Sequence, residues 1–319
     1  MSQIQASDNP KVLIVLGPPR SFTTVVSTIL GQHPELYGLP ETHIFGDSTV
    51  REWWQRAALA QYPMTHGLLR ATAQIIFGEQ TEETVTRASG WLQRRSDCTT
   101  GYLLELFCQQ LGALTLVEKS PSTVHSPDAL RRAYEMFPRA KFMHLLRHPR
   151  GYGESVVKAL RAAQEHGGAP KWLLKLATYP SPFGGGQLEY DFDPQKSWYA
   201  LNMNINSFLQ LVPKEQKLRI HGEQILTEPD RMLAQVCAWL GVRRDAEAIE
   251  EMKHPERSPY ACFGPANARF GNDHFFLADP VLRPARAATH SLDGPLGWRD
   301  DEQEFVPQVK ELAAEFGYA

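Results

Sequence analysis

Only four cysteines occur in 319 residues, and Cys98, Cys108, Cys237 and Cys262 form no Cys-x-x-Cys pair. Their irregular spacing excludes a zinc ribbon or a disulfide framework and fits buried thiols in a reducing compartment. No apolar run reaches the roughly 18 residues of a membrane span. The opening MSQIQASDNP has no apolar core, so no secretory leader is expected and the cytoplasm is the expected location. Charge of one sign is not in excess either: 33 Lys and Arg face 36 Asp and Glu, a net −3. That balance argues against a general nucleic-acid binder but leaves room for a local cationic pocket that takes a small anion. Neither an internal repeat nor a cluster of metal ligands is present.

What remains is the composition of an ordinary globular enzyme, 42% hydrophobic and 22% charged. Residues 11–16 (KVLIVL), 114–117 and 141–146 (KFMHLL) read as strands of a buried parallel sheet, with a short strand at 218–221. Helical spacing follows at residues 21–32, 129–137, 153–166, 194–211 and 228–240. Strands alternating with helices predict an α/β fold, a central parallel sheet flanked by helices, in one domain spanning residues 1–319. Residues 48–110 repeat apolar side chains at three- and four-residue intervals and predict a helical insertion that covers the sheet or lids a site. Residues 167–193, with Gly184-Gly185-Gly186, read as a mobile loop.

Two segments carry chemistry. Gly17-Pro18-Pro19-Arg20-Ser21-Phe22-Thr23-Thr24 lies between a buried strand and a helix start, where backbone N–H groups and the helix dipole bind anions. The hydroxyls of Ser21, Thr23 and Thr24 add donors, and Arg20 adds a planar cation. Against the triphosphate-binding pattern GxxxxGK[ST], Thr23 stands at the Lys position, which disfavours ATP or GTP hydrolysis. A helix cap alone also accounts for such a run. The second segment begins with Arg147 at a strand's end and reaches Ser155 in the following helix, a pair suited to a second phosphate, or to a solvated turn.

Together these segments resemble those of sulfotransferases that use 3'-phosphoadenosine-5'-phosphosulfate (PAPS). Similarity extends through His33-Pro34-Glu35, Val117-Glu118-Lys119-Ser120-Pro121, Ile225-Leu226-Thr227-Glu228-Pro229, Leu240-Gly241-Val242 and Phe316-Gly317-Tyr318. The insertion and the Lys-Ser-Pro segment look most like bacterial polyketide-pathway members of that family. The resemblance implies a P-loop-like fold and transfer of a sulfuryl group from PAPS to a hydroxyl without a metal, leaving 3',5'-bisphosphate (PAP). It implies that Arg20, Ser21, the Phe22 backbone, Thr23 and Thr24 hold the 5'-phosphosulfate, and Arg147 with Ser155 the 3'-phosphate. The acceptor would be a small molecule, free or presented by an acyl carrier protein, with neither nucleic acid nor membrane as partner.

Two residues depart from the family pattern. Phe22 stands where a Gly is usual, so the loop must avoid positive φ there or bear strain. Gly222 stands near the usual aromatic of a Tyr-Glu-Asp-Leu segment. For the base, Glu41 in Leu39-Pro40-Glu41-Thr42-His43 is favoured, with His43 and His274 as competitors. For the leaving-group cation, Lys119 is favoured, shared with Arg20. Lys119 as a surface partner of Glu118 is the plainer alternative, and His144 reads as a core histidine. Trp53, Trp54, Phe107 and Trp172 are either pocket lining or core. A kinase-like enzyme that lost its Lys and a non-catalytic binding protein remain the alternative functions.

Overall fold

The computed structural model describes residues 11–60, 63–165, 168–183, 192–283, 290–299 and 303–319. Five parallel strands form one sheet in the order β2-β3-β1-β4-β5, with β1 Val12–Leu16, β2 Leu36–Gly38, β3 Thr115–Glu118, β4 Lys141–Leu146 and β5 Lys217–His221. Central β1 pairs with β3 from Val12 opposite Leu116 and with β4 from Leu13 opposite Lys141. All five residues of β1 are buried, and they alternate between two cores. Val12, Ile14 and Leu16 face a cluster with Trp53, Phe107 and Trp198, while Leu13 and Val15 face one with Val26, Ile29 and Val236. A continuous Val/Ile/Leu strand is the signature of a sheet covered on both faces, and each such side chain leaving water contributes about 1.5–3 kcal/mol.

Helix α1, Thr23–Leu30, leads from β1 to β2. The insertion consists of α2 Val50–Leu59, α3 His66–Phe77, α4 Glu82–Gln93 and α5 Thr100–Leu111. Thr49 and Thr81 each build a capping box at the start of α2 and α4, and Thr99 caps α5, so the boundaries are set by local chemistry. Helix α6 spans Pro127–Met136, α7 Pro149–Glu165 and α9 Pro194–Leu209. β2, a three-residue edge strand, lacks an apolar run that the sequence would reveal.

One expectation is corrected. Within the stretch read as a loop, residues Lys171–Ala177 form helix α8, because Leu173, Leu176 and Ala177 fall on one face and bury into the core. Gly184-Gly185-Gly186 lie outside the described residues. The aromatic residues weighed as pocket lining divide: Trp53 and Phe107 are fully buried core, and Trp172 packs against that core. Trp54 borders an open hollow of about 450 Å³ on the insertion, with Arg51, Gln55 and Gln93. Among the described residues no helix is long and apolar enough to cross a membrane.

In this order the first crossover carries the chain from β1 to β2 on one side of the sheet, and β4 and β5 lie on the other. The carboxyl ends of β1, β3 and β4 therefore meet where the strand order switches, the place where open α/β sheets bind ligands.

Candidate active site

The loop after β1 is shaped to receive an anion. Arg20 and Phe22 both adopt left-handed backbone, at φ 69° and 61°, on either side of Ser21. Alternation of backbone hand turns successive N–H groups toward a common concavity, and the first-turn N–H groups of α1 open onto the same place. A Cβ on Gly17 would stand 2.9 Å from Thr23 Cγ2 and 3.0 Å from the Leu145 carbonyl oxygen, so only glycine lets the loop lie this close to β4. Ser21 is fully buried, and among the described residues its hydroxyl has no hydrogen-bond partner.

The two anion segments predicted from sequence meet in space. Arg20 Nε donates to Ser155 Oγ at 3.3 Å, and Arg147 Nη1 donates to the Arg20 carbonyl at 2.5 Å. The Arg147 guanidinium lies 4.2 Å over the Phe22 ring. Burial lowers the Arg147 pKa to about 10, and its Nε has no partner among the described residues. The unpaired buried guanidinium N–H of Arg147 and the orphaned hydroxyl of Ser21 are each a donor that a bound anion would complete.

Glu41 and Lys119 converge on the same loop. Lys119, 1% exposed, donates through Nζ to Thr24 Oγ1 at 3.0 Å and forms an ion pair with Glu41 Oε1. The alternative of a surface pair with Glu118 is overturned, because strand alternation sends adjacent side chains to opposite faces. Glu118 is fully buried and instead accepts from Thr42 Oγ1, at 3.0 Å, and from Ser120 Oγ. Burial lifts its pKa to about 7, against the smaller opposing pull of those hydroxyls.

The segment carrying Glu41 is gripped by the insertion. Trp53 Nε1 donates to the Thr42 carbonyl at 3.1 Å and Arg56 Nη2 to the His43 carbonyl at 2.8 Å. His43 has left-handed backbone, φ 53°, and its Nδ1 lies 2.9 Å from Ser122 Oγ. Burial, with Arg56 and Lys119 adding repulsion, lowers the His43 pKa to about 3, so it is neutral at physiological pH. Its Nε2 lies 3.9 Å from Glu41 Oε2. His144 is the buried core histidine expected, bonded to Asn202.

His274 is not part of this cluster. It is exposed, begins the short helix His274–Ala278, and lies against Phe275. Its neighbour Asp273 makes the contact instead, through an ion pair with Arg20. The same loop supplies the Gly271 carbonyl, which accepts from Glu41 N at 2.7 Å. Sequence reasoning missed Asp273 and the Glu118–Thr42–Ser120 cluster. The only signal for Asp273 was its place in the irregular Gly-Asn-Asp-His stretch.

A profile described as the sulfotransferase family matches residues 10–246. Among solved structures, the chain is similar to the sulfotransferase domain from the curacin biosynthetic pathway, at 20% identity over 97% of this chain and 98% of that one, with a TM-score of 0.69. It is similar as well to the sulfotransferase domain from the Synechococcus PCC 7002 olefin synthase, at 22% identity over 100% and 99% of the chains, also with a TM-score of 0.69. No curated protein matches. With the match extending over most of the chain and the fold in agreement, the chain belongs to the sulfotransferase family and is an enzyme of sulfuryl transfer.

Proposed function

We propose that the enzyme takes its sulfuryl group from PAPS and delivers it to a hydroxyl of a small molecule, free or tethered to an acyl carrier protein. The observation that carries this reading is the position of Lys119, whose Nζ joins Thr24 of the anion loop to Glu41. A cation at the anion loop and a carboxylate next to it are the two groups that an in-line transfer between oxygens needs.

PAPS supplies an activated sulfuryl group on a phosphate that leaves as PAP. The protein's own residues do the rest. Arg20, Ser21, Thr23, Thr24 and the Phe22 backbone cradle the 5' end, and Arg147 with Ser155 the 3'-phosphate. Glu41 accepts the proton of the acceptor hydroxyl as its oxygen bonds to sulfur. Lys119, with Arg20, offsets the negative charge that develops on the departing phosphate oxygen. His43, held neutral and close to Glu41, and His274, exposed on the neighbouring loop, stand outside these two roles. Residues 1–319 act as one domain, and the insertion at 48–110 holds the Glu41 segment from above.

The two similar solved structures are domains of a biosynthetic pathway and of an olefin synthase, which supports a carrier-tethered acceptor for this enzyme. Four free cysteines fit work in the cytoplasm, where thiols stay reduced. A non-catalytic reading loses ground because Glu41 and Lys119 sit against the anion loop.

Calorimetric titration with PAP in EDTA tests the donor site. Micromolar binding that Arg147→Ala abolishes is the expected result. A folded wild type that fails to bind PAP overturns the reading.

A further inference from the structure

Phe22 is an expensive residue where it stands. Its φ of 61° is in the left-handed region, which a bulky side chain with a Cβ seldom adopts and glycine occupies freely. Strain of this kind persists only where the surrounding structure insists on it, and it clusters at functional sites. The ring's surroundings show what is gained. One face carries the Arg147 guanidinium at 4.2 Å. Its edge lies on Gly222, where an added Cβ would stand 2.5 Å from Phe22 Cδ2, so the bare backbone at residue 222 makes room for the ring. The ring is half-buried and packs against the margin of the core rather than inside it.

We propose that Phe22 is the positioning residue for Arg147: its ring is a floor that fixes the guanidinium plane over the anion loop, and Gly222 is kept small to admit it. Two constraints then hold Arg147. The ring fixes its plane, and the Arg20 carbonyl fixes Nη1, while Nε has no partner among the described residues. A flat cation on an aromatic face loses little freedom when a phosphate arrives, and lysine cannot replace it there. This inference rests on the proposed role of Arg147 at the 3'-phosphate.

The test compares calorimetric affinities for PAP and for 5'-AMP, which lacks the 3'-phosphate. Phe22→Gly removes ring and strain together, and Phe22→Leu keeps apolar bulk without the π face. In both variants the PAP-to-AMP affinity ratio, which cancels any change at the shared 5'-phosphate, should fall about tenfold. Phe22→Tyr should keep the wild-type ratio. Gly222→Ala, which pushes the ring aside, should match Phe22→Gly, and should add nothing when combined with it. A wild-type ratio in Phe22→Gly, Phe22→Leu or Gly222→Ala overturns the inference alone. A wild type that binds no PAP overturns the donor-site reading beneath it.

Discussion

Gly67 of α3 touches the backbone of Glu41 so closely that a Cβ at residue 67 would stand 1.9 Å from the Glu41 carbonyl oxygen. The Gly271 carbonyl accepts the Glu41 N–H, and a Cβ on Gly271 would meet Gly67 Cα at 3.1 Å. The proposed base is thus clamped between the helical insertion and the 271–273 loop, a position set by backbone rather than by its own side chain.

Gly67→Ala should therefore displace the Glu41 segment while leaving the anion loop intact. Misplacing a reacting group by an ångström costs about 10²-fold, so sulfuryl transfer should fall roughly 10- to 100-fold with PAP affinity within about twofold of wild type. Single-turnover transfer of labelled sulfate, set beside PAP titration, separates the two effects. Equal loss of binding and turnover would mean that the clamp also shapes the donor site.

Removing either member of the Lys119–Glu41 pair should strike chemistry more than binding. Glu41→Gln should lower kcat about 10²- to 10⁴-fold, as loss of a general base does. Lys119→Met should lower it about 10²- to 10³-fold, as loss of a charge-stabilising donor does. Because the two groups touch, the double variant should be little worse than the poorer single one. Steady-state kinetics on all three decide this, and additive losses would show that the groups act separately.

Much of this was legible in the sequence because it was local. β1, β4 and the anion loop follow from apolar runs closed by Gly17 and Arg147, and the helical insertion from three- and four-residue spacing. Helix α8 was hidden by the prolines and glycines around it. Asp273 on Arg20 and Glu118 under Thr42 were illegible for another reason: each is a contact across more than seventy residues that neither periodicity nor composition encodes. Phe22 and Gly222 each read as a loss from the family pattern, and only the fold shows that they occupy the same space.

Asp273 holds Arg20 in the place of an anion. A carboxylate on the guanidinium competes with the phosphosulfate for the same donors, so Asp273→Asn should tighten PAP binding about three- to tenfold. The gain should shrink in high salt, since both partners are partly exposed. Titration at two ionic strengths checks it, and weaker binding would show that Asp273 orders the loop rather than competes with the ligand.

Glu118 has its pKa raised by burial from 4.5 to about 7. The folded state therefore holds a proton that the unfolded chain has released, and stability is greatest below about 4.5 and is lost as pH rises to about 7. The full loss is roughly 3 kcal/mol. Buried His43 and His144 act in the opposite sense. Their pKa values fall from 6.5 to about 3, so their contribution is complete above 6.5 and is lost as pH falls. At pH 5 each costs about 2 kcal/mol. In the wild type these slopes oppose one another between pH 4.5 and 6.5, where the two histidines outweigh the one carboxylate and mask it. Glu118→Gln, an amide of the same shape with no proton to release, removes only the first. Denaturant unfolding from pH 4.5 to 8 should show the variant gaining on the wild type as pH rises, with the difference levelling off above about 7. A difference that stays constant across that range would mean that Glu118 is ionised throughout and that its hydroxyl partners outweigh its burial.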